Sequence, residues 1–216
     1  VFVPVLASHQ LINGRLMLQA GLAFLAFSLC ASSVYIINDC LDLESDRRHP
    51  RKRNRPFASG SLSIPFGLTL AAVCLVGGVL VAVALPPLFL LVLAGYLVLT
   101  TGYSFYLKQF VLLDVIVLAQ LYTVRVYGGG AATGVAPSHW LLTFSLFLFL
   151  SLALVKRFTE LRLMSQTEGK GLHGRGYWVT DLEHVSSIGT ASGLLAVLVL
   201  ALYISSREVL LLYTHA

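Results

Sequence analysis

Apolar residues run through this chain in long blocks separated by a few short polar segments. Blocks of about 20 mostly apolar residues, the length a membrane span needs, lie near 16–37, 63–84, 88–106, 111–130, 139–157 and 184–205. Partial blocks stand at the ends, VFVPVLA at the start and REVLLLYTHA at the finish. Counting these, the pattern predicts an all-α polytopic transmembrane helical bundle with seven to eight spans. The chain opens on Val1, inside an apolar run, without a basic segment or a small-residue cleavage site. We therefore expect no signal peptide and a single transmembrane domain over 1–216, truncated at both ends.

Composition removes the soluble alternative. The chain is 57% hydrophobic and 12% charged, with a mean hydropathy of +0.83. A soluble domain carries about 25% charged residues, so the charge needed to cover a water-facing surface is missing. Cys30, Cys40 and Cys74 are scattered without metal-site spacing. Cys30 and Cys74 fall in apolar runs and read as small packing residues.

The few charges are unevenly placed. Alternate loops at 38–62, 107–110 and 156–183 hold Arg47, Arg48, Arg51, Lys52, Arg53, Arg55, Lys108, Lys156, Arg157, Arg162, Lys170 and Arg175. The opposite loops hold Arg15 and Arg207. Lysine and arginine accumulate on the cytoplasmic side, which places all three charged loops there. The net charge of +5 thus reflects topology, and no aromatic-interleaved basic domain points to nucleic acid.

Candidate chemistry is concentrated at YIINDCLDLESD, where the 16–37 span ends. Asn38, Asp39, Asp42 and Asp46 form N-D-x-x-D-x-x-x-D. On a helix the three aspartates fall within about 60° of one another. Stacked carboxylates repel unless a cation sits between them, and Mg²⁺ carrying phosphate oxygens suits such a ladder. Glu44 points away from it. The alternative is a charged helix end neutralised by the arginines that follow.

Those arginines belong to RRHPRKRNRPFASG, a loop bounded by Pro50 and Pro56, which disfavour continued helix. Cytoplasmic placement accounts for Arg47, Arg48, Arg51 and Arg53. His49 reads equally as a phosphate contact or a loop residue without a role. Deeper in the chain, Arg125 lies about 14 residues, roughly 21 Å, into its span. A charge at that depth faces a cavity or a partner, here a lipid phosphate or the bundle interior. Asp114 reads as a helix-end acid or as a supporting partner of the site. Gly128, Gly129 and Gly130 read as close-packing residues. Lys156 and Glu160 stand at i, i+4 in reversed order and read by themselves as a weak surface pair.

NDCLDLESD, the trailing RPFASG and YSFYLK at 103–108 resemble the UbiA superfamily of intramembrane prenyltransferases. Within it, DRRHPRKRNRP, LLDVIVLAQLYTVRVYGG and LVKRFTEL are similar to decaprenyl-phosphate phosphoribosyltransferases. The resemblance covers nearly the whole chain in order. It implies nine spans around a polar cavity that faces the cytoplasm and opens sideways to lipid. It also implies Mg²⁺ and a diphosphate at Asp39, Asp42 and Asp46, with Asn38 orienting the diphosphate. Lys52, Arg55, Tyr103 and Lys108 would contact phosphate, and Lys156, Arg157 and Glu160 would line the site. Most of the superfamily has a second D-x-x-x-D after the sixth span. Here Glu160, Glu168, Asp181 and Glu183 occur instead, none in that spacing.

The resemblance implies a Mg²⁺-dependent membrane transferase moving 5-phosphoribose from phosphoribosyl diphosphate to a polyprenyl phosphate. One Mg²⁺-diphosphate site suffices for that donor. The alternative is a prenyltransferase using polyprenyl diphosphate to alkylate an aromatic or other acceptor. A non-catalytic lipid-binding or transport protein would show repeated halves or broken midplane helices, and neither is visible. The expected location is the bacterial inner membrane with the active site facing the cytoplasm, and nothing in the sequence opposes a homo-oligomer.

Overall fold

A computed structural model describes residues 1–48, 52–166 and 175–206, with the side chains of Ser45, Arg48 and Lys52 outside that description. The helices are α1 (Val3–Ala7), α2 (Gly14–Leu41), α3 (Leu43–Arg48), α4 (Ile64–Val83), α5 (Pro87–Phe105), α6 (Leu113–Thr133), α7 (His139–Gln166) and α8 (Leu182–Ile204). No β-strand occurs among the described residues. Among the described residues, six helical stretches, α2, α4, α5, α6, α7 and Val179–Ile204, are long and apolar enough to cross a membrane. The chain is a polytopic, all-α integral membrane protein.

Among the described residues the span count is lower than the seven to eight expected. The leading apolar run forms only α1, five residues long, about 7.5 Å at 1.5 Å per residue and far short of a bilayer. The trailing run REVLLLYTHA lies outside the described residues.

Two compact units divide the contacts. The first comprises Val1–Thr101 and Gly128–Val135, the second Gly102–Tyr127 and Ala136–Ala216. In the first unit α2 packs on α4 through small residues. Ala20, Ala23, Ala26, Cys30 and Ala31 of α2 are buried, as are Gly67, Ala71, Gly78 and Ala82 of α4. A Cβ on Gly78 would stand 2.7 Å from Cys30 Sγ and 3.1 Å from the Ala26 carbonyl oxygen. Between spans, where lipid competes equally for apolar contact, this close backbone approach provides the packing energy. Cys30 is thus a buried free thiol seated on a glycine. Phe27 meets Phe89 and Tyr96 edge-on at 5.4 and 5.1 Å, and Gly128 leaves room for its ring.

In the second unit α7 packs on α8. Ala153, Leu154, Arg157 and Leu161 of α7 are buried, as are Val185, Gly189, Ser192 and Ala196 of α8, both at heptad-like spacing, and Leu154 lies against Gly189. The Ser151 hydroxyl donates across the pair to the Gly189 carbonyl at 2.9 Å. Among the spans α6 is 56% buried, whereas the others reach at most 33%. A span screened from lipid can carry ionisable residues at lower cost, and α6 carries Asp114 and Arg125.

Candidate active site

The first cluster lies where α2 gives way to the basic loop. α2 stops at Leu41, and Asp42 caps it with φ −83° and ψ 6°, its N–H donating to the Asn38 carbonyl. The Asp46 N–H then donates to the Asp42 carbonyl at 2.8 Å. This turn interrupts the continuous helix on which the spacing predicts three stacked aspartates. Aspartate is a poor interior helix residue because its short side chain competes for backbone groups, so the break at Asp42 has a local cause. Asp39 and Asp46 nevertheless converge. Arg55 Nη1 donates to Asp39 Oδ1 at 2.9 Å and to Asp46 Oδ2 at 2.8 Å. Asp46 is 2% exposed, whereas Asp39 and Arg55 are over a third exposed, at 35% and 39%. No group of three His, Cys, Asp or Glu residues among the described ones is gathered as a metal cluster.

The segment RPFASG explains how Arg55 is held. The Ser59 N–H donates to the Arg55 carbonyl at 2.8 Å, and the Leu62 N–H to the Pro56 carbonyl at 3.1 Å. Gly60 supplies the left-handed residue, φ 81°. Phe57 is buried, its ring filling the space that a Cβ on Gly67 of α4 would occupy. Arg47 Nε reaches the Ala58 carbonyl at 3.3 Å, so this cation also braces the loop. Lys52 begins a 3-10 turn, Lys52–Asn54, and its side chain lies outside the described part, as do His49, Arg51, Glu168, Lys170 and His173 entirely.

A second cluster occupies the second unit. Asp114 is fully buried at the start of α6. Its Oδ2 forms an ion pair with Arg157 Nη2 at 2.8 Å and accepts from Arg175 Nη1 at 3.3 Å. Its Oδ1 accepts from the Tyr177 hydroxyl at 2.5 Å. Arg157, also sealed from solvent, reaches Glu160 with its other terminal nitrogen and lies over the Tyr177 ring. Arg175 Nη1 also donates to the Tyr103 hydroxyl at 3.3 Å. Burial pushes the Tyr177 hydroxyl well above the ordinary tyrosine range, and its bond to Asp114 pushes it further in the same direction.

Tyr177 also accepts from the Leu112 N–H at 2.9 Å. Leu112 has φ 64°, a left-handed conformation costly for a residue with a Cβ. The neighbouring Gly176 N–H donates to the Gln109 carbonyl at 3.0 Å. A Cβ there would come within 2.7 Å of that same oxygen. The connection after α7 is therefore pinned against the connection between α5 and α6.

The structure thus gathers Asp39, Asp46 and Arg55 in one unit, and Tyr103, Arg157 and Glu160 in the other. Lys156 points outward, and Glu160 pairs with Arg157 at i, i+3 in place of the expected i, i+4 partner Lys156. Lys108 lies half-buried in the 3-10 turn Leu107–Gln109. Arg125 covers the Tyr122 ring at 5.6 Å. Sequence reasoning gives Asp114 no more than a supporting role and misses Arg175 and Tyr177. An acid one turn inside an apolar span is the available signal for Asp114. Arg175 is hidden among topology charges.

The family model for the UbiA prenyltransferase family matches residues 1–215. The chain is 40% identical over 206 residues to the y4nM protein of Sinorhizobium fredii, covering 94% of this chain and 40% of that protein. It is 39% identical over 217 residues to the nodulation protein NoeC of Azorhizobium caulinodans, covering 97% and 68%. It is 38% identical over 149 residues to the decaprenyl-phosphate phosphoribosyltransferase of Mycobacterium tuberculosis, covering 69% and 49%. The chain therefore spans only part of the length of these relatives. Its fold matches a UbiA homologue from Archaeoglobus fulgidus, whose structure holds GPP and Mg²⁺, with a TM-score of 0.74 at 18% identity. The match covers 89% of this chain and 69% of that one. This chain belongs to the UbiA prenyltransferase family.

Proposed function

We propose that the chain is the catalytic part of a Mg²⁺-dependent transferase that moves 5-phosphoribose from phosphoribosyl diphosphate to a polyprenyl phosphate. The observation that carries this is the convergence of Asp39 and Asp46 on one cationic point, Arg55 Nη1. It occurs in a chain similar to a decaprenyl-phosphate phosphoribosyltransferase. In the second unit the described charges form an arginine-centred cluster around Asp114, which favours a donor needing one metal-diphosphate site.

The donor set fits Mg²⁺. Two carboxylate oxygens already within reach of one positive centre are the hard ligands this ion takes, and phosphate oxygens and water complete its shell. Asp39 and Asp46 would hold it, with Asp42 one turn away as a further ligand. When bound, Mg²⁺ neutralises charge on the departing diphosphate. Asn38 sits on the last turn of α2 to orient that group. Arg55, half-exposed and held by the Pro56–Gly60 turn, keeps donors for phosphate oxygens, with Lys52 and Lys108 as further sources of positive charge. A lipid phosphate oxygen forms a bond to the ribose anomeric carbon as the bond from that carbon to the diphosphate breaks. The attacking phosphate is already an anion, so this step needs no general base. An acceptor tail that remains in the bilayer explains a site carried on membrane spans. The bacterial inner membrane with a cytoplasmic site fits the loop charges.

The second reading is prenyl transfer from a polyprenyl diphosphate to an aromatic or other acceptor, favoured by the prenyl diphosphate in the Archaeoglobus homologue. An assay of purified protein with labelled phosphoribosyl diphosphate or labelled geranylgeranyl diphosphate, each with bacterial lipid extract and Mg²⁺, separates the two. A labelled phosphoribosyl lipid supports the first reading. A prenylated product without it overturns the first in favour of the second.

A further inference from the structure

We infer that Arg175, braced by the buried Asp114 and the Tyr103 hydroxyl, is a binding residue for a phosphate monoester group of a substrate. The inference deepens the transfer reading and depends on it only for which substrate carries the group. Phosphoribosyl diphosphate bears such a group at ribose C5, distant from its diphosphate, and the lipid acceptor bears one as its headgroup.

Three observations carry it. First, the root of the side chain is fixed, because Gly176 is bonded to Gln109 with no space for a Cβ, and Tyr177 bonds to Asp114 and Leu112. Second, its head is fixed through a single terminal nitrogen, since Nη1 reaches both Asp114 and Tyr103 at 3.3 Å. Among the described residues its hydrogen bonds go no further, which leaves Nη2 and Nε, one edge of the planar fork, for an outside acceptor. That edge matches two phosphate oxygens. Third, the side chain is 28% exposed, while Asp114 beneath it is fully buried. A surface arginine with no ligand keeps its rotamer freedom. One whose backbone and guanidinium are both immobilised has already met the ordering cost that weakens binding.

Asp114 does not need Arg175 for neutrality. Arg157 lies closer, at 2.8 Å against 3.3 Å, and Tyr177 occupies the other oxygen. With Glu160 included, the charges of Asp114, Arg157 and Arg175 cancel, so an anion would be drawn by directed donors and not by surplus charge. Arg175 touches the ligand in this scheme, and Asp114 is a positioning residue acting through it.

The test is equilibrium binding of ribose 5-phosphate and of farnesyl phosphate to the full chain in detergent. Wild type, Arg175→Gln, Arg175→Lys and Asp114→Asn are compared, each checked for retained helicity. Wild type should bind at least one ligand, and Arg175→Gln should weaken that binding about tenfold or more, the worth of a charge-assisted pair of bonds. Arg175→Lys, keeping charge without the fork and least disturbing to the fold, should fall between. Asp114→Asn should weaken binding less than Arg175→Gln. Loss confined to ribose 5-phosphate identifies the donor, loss confined to farnesyl phosphate identifies the lipid, and loss of both a shared phosphate site. Failure of wild type to bind either ligand, or equal affinities for wild type and both Arg175 variants, overturns the inference. The labelled-donor assay is scored separately. A prenyl product there would sink phosphoribosyl transfer and leave the Arg175 result standing on its own.

Discussion

Asp114 on α6 and Arg157 on α7 are both sealed from solvent and joined at 2.8 Å. Removing one member of a buried pair strands the other charge, at a cost of about 3–5 kcal/mol. Arg157→Met and Asp114→Leu should each lower the unfolding midpoint in detergent strongly. The double variant should lose clearly less than the two singles combined, because neither charge is then left facing its vacated partner. Additive losses would show that the pair is not energetically coupled.

Tyr177 gives the fold an alkaline limit. Its folded-state proton is held more tightly than that of a free tyrosine, whose ordinary value is 10.0. The stabilisation is therefore complete below about pH 10 and declines as pH rises through the higher folded-state value. Tyr177→Phe should cost about 1–3 kcal/mol at neutral pH by leaving Asp114 and the Leu112 N–H short of a partner. The variant should also show a flatter loss of stability above about pH 10. Parallel alkaline unfolding curves would exclude Tyr177 as the responsible group.

Gly77 and Gly78 offer a paired control on α4. A Cβ at Gly78 meets Cys30 Sγ at 2.7 Å and backbone at 3.1 Å, whereas at Gly77 its nearest neighbour is Leu29 Cδ1 at 3.7 Å. Gly78→Ala should destabilise by about 1–3 kcal/mol through overpacking, and Gly77→Ala should be neutral or stabilising. Thermal unfolding in detergent distinguishes them, and equal midpoints would mean that α2 and α4 do not approach as closely as described.

For the proposed transfer, Asp39→Ala, Asp42→Ala and Asp46→Ala should each reduce turnover by about 10²-fold or more, as removal of charge stabilisation does. Asp46→Ala should in addition destabilise, since Asp46 is buried against Arg55. Asp39 is more exposed, and its replacement should leave the fold intact. Retained turnover in Asp39→Ala would mean that the metal site lies elsewhere.

The spans were legible because an apolar block of about twenty residues, in a chain this poor in charge, is stable only inside a bilayer. The leading apolar run entered the span count, but as it stands here it forms only the five-residue α1. The acidic segment at Asp39–Asp46 was legible from its spacing, but the break at Asp42 was not. An ideal helical wheel takes no account of a capping aspartate. Arg175 could not be separated from other loop cations, since its distinction lies in contacts with Tyr103 and Asp114, 72 and 61 residues away. Periodicity reports which residues share a face, and it is silent on which loops touch.

The hydrogen bond from Leu112 to Tyr177 also bears on the order of synthesis. The left-handed residue that closes the turn between α5 and α6 is satisfied by a hydroxyl encoded 65 residues later. As the chain leaves the ribosome, α5 and α6 are made before that hydroxyl exists, and their connecting turn lacks its final partner until α7 has followed. This part of the protein is therefore completed backwards, with a late segment finishing an early turn. Truncation before Tyr177 should leave two inserted helices joined by an unfinished corner.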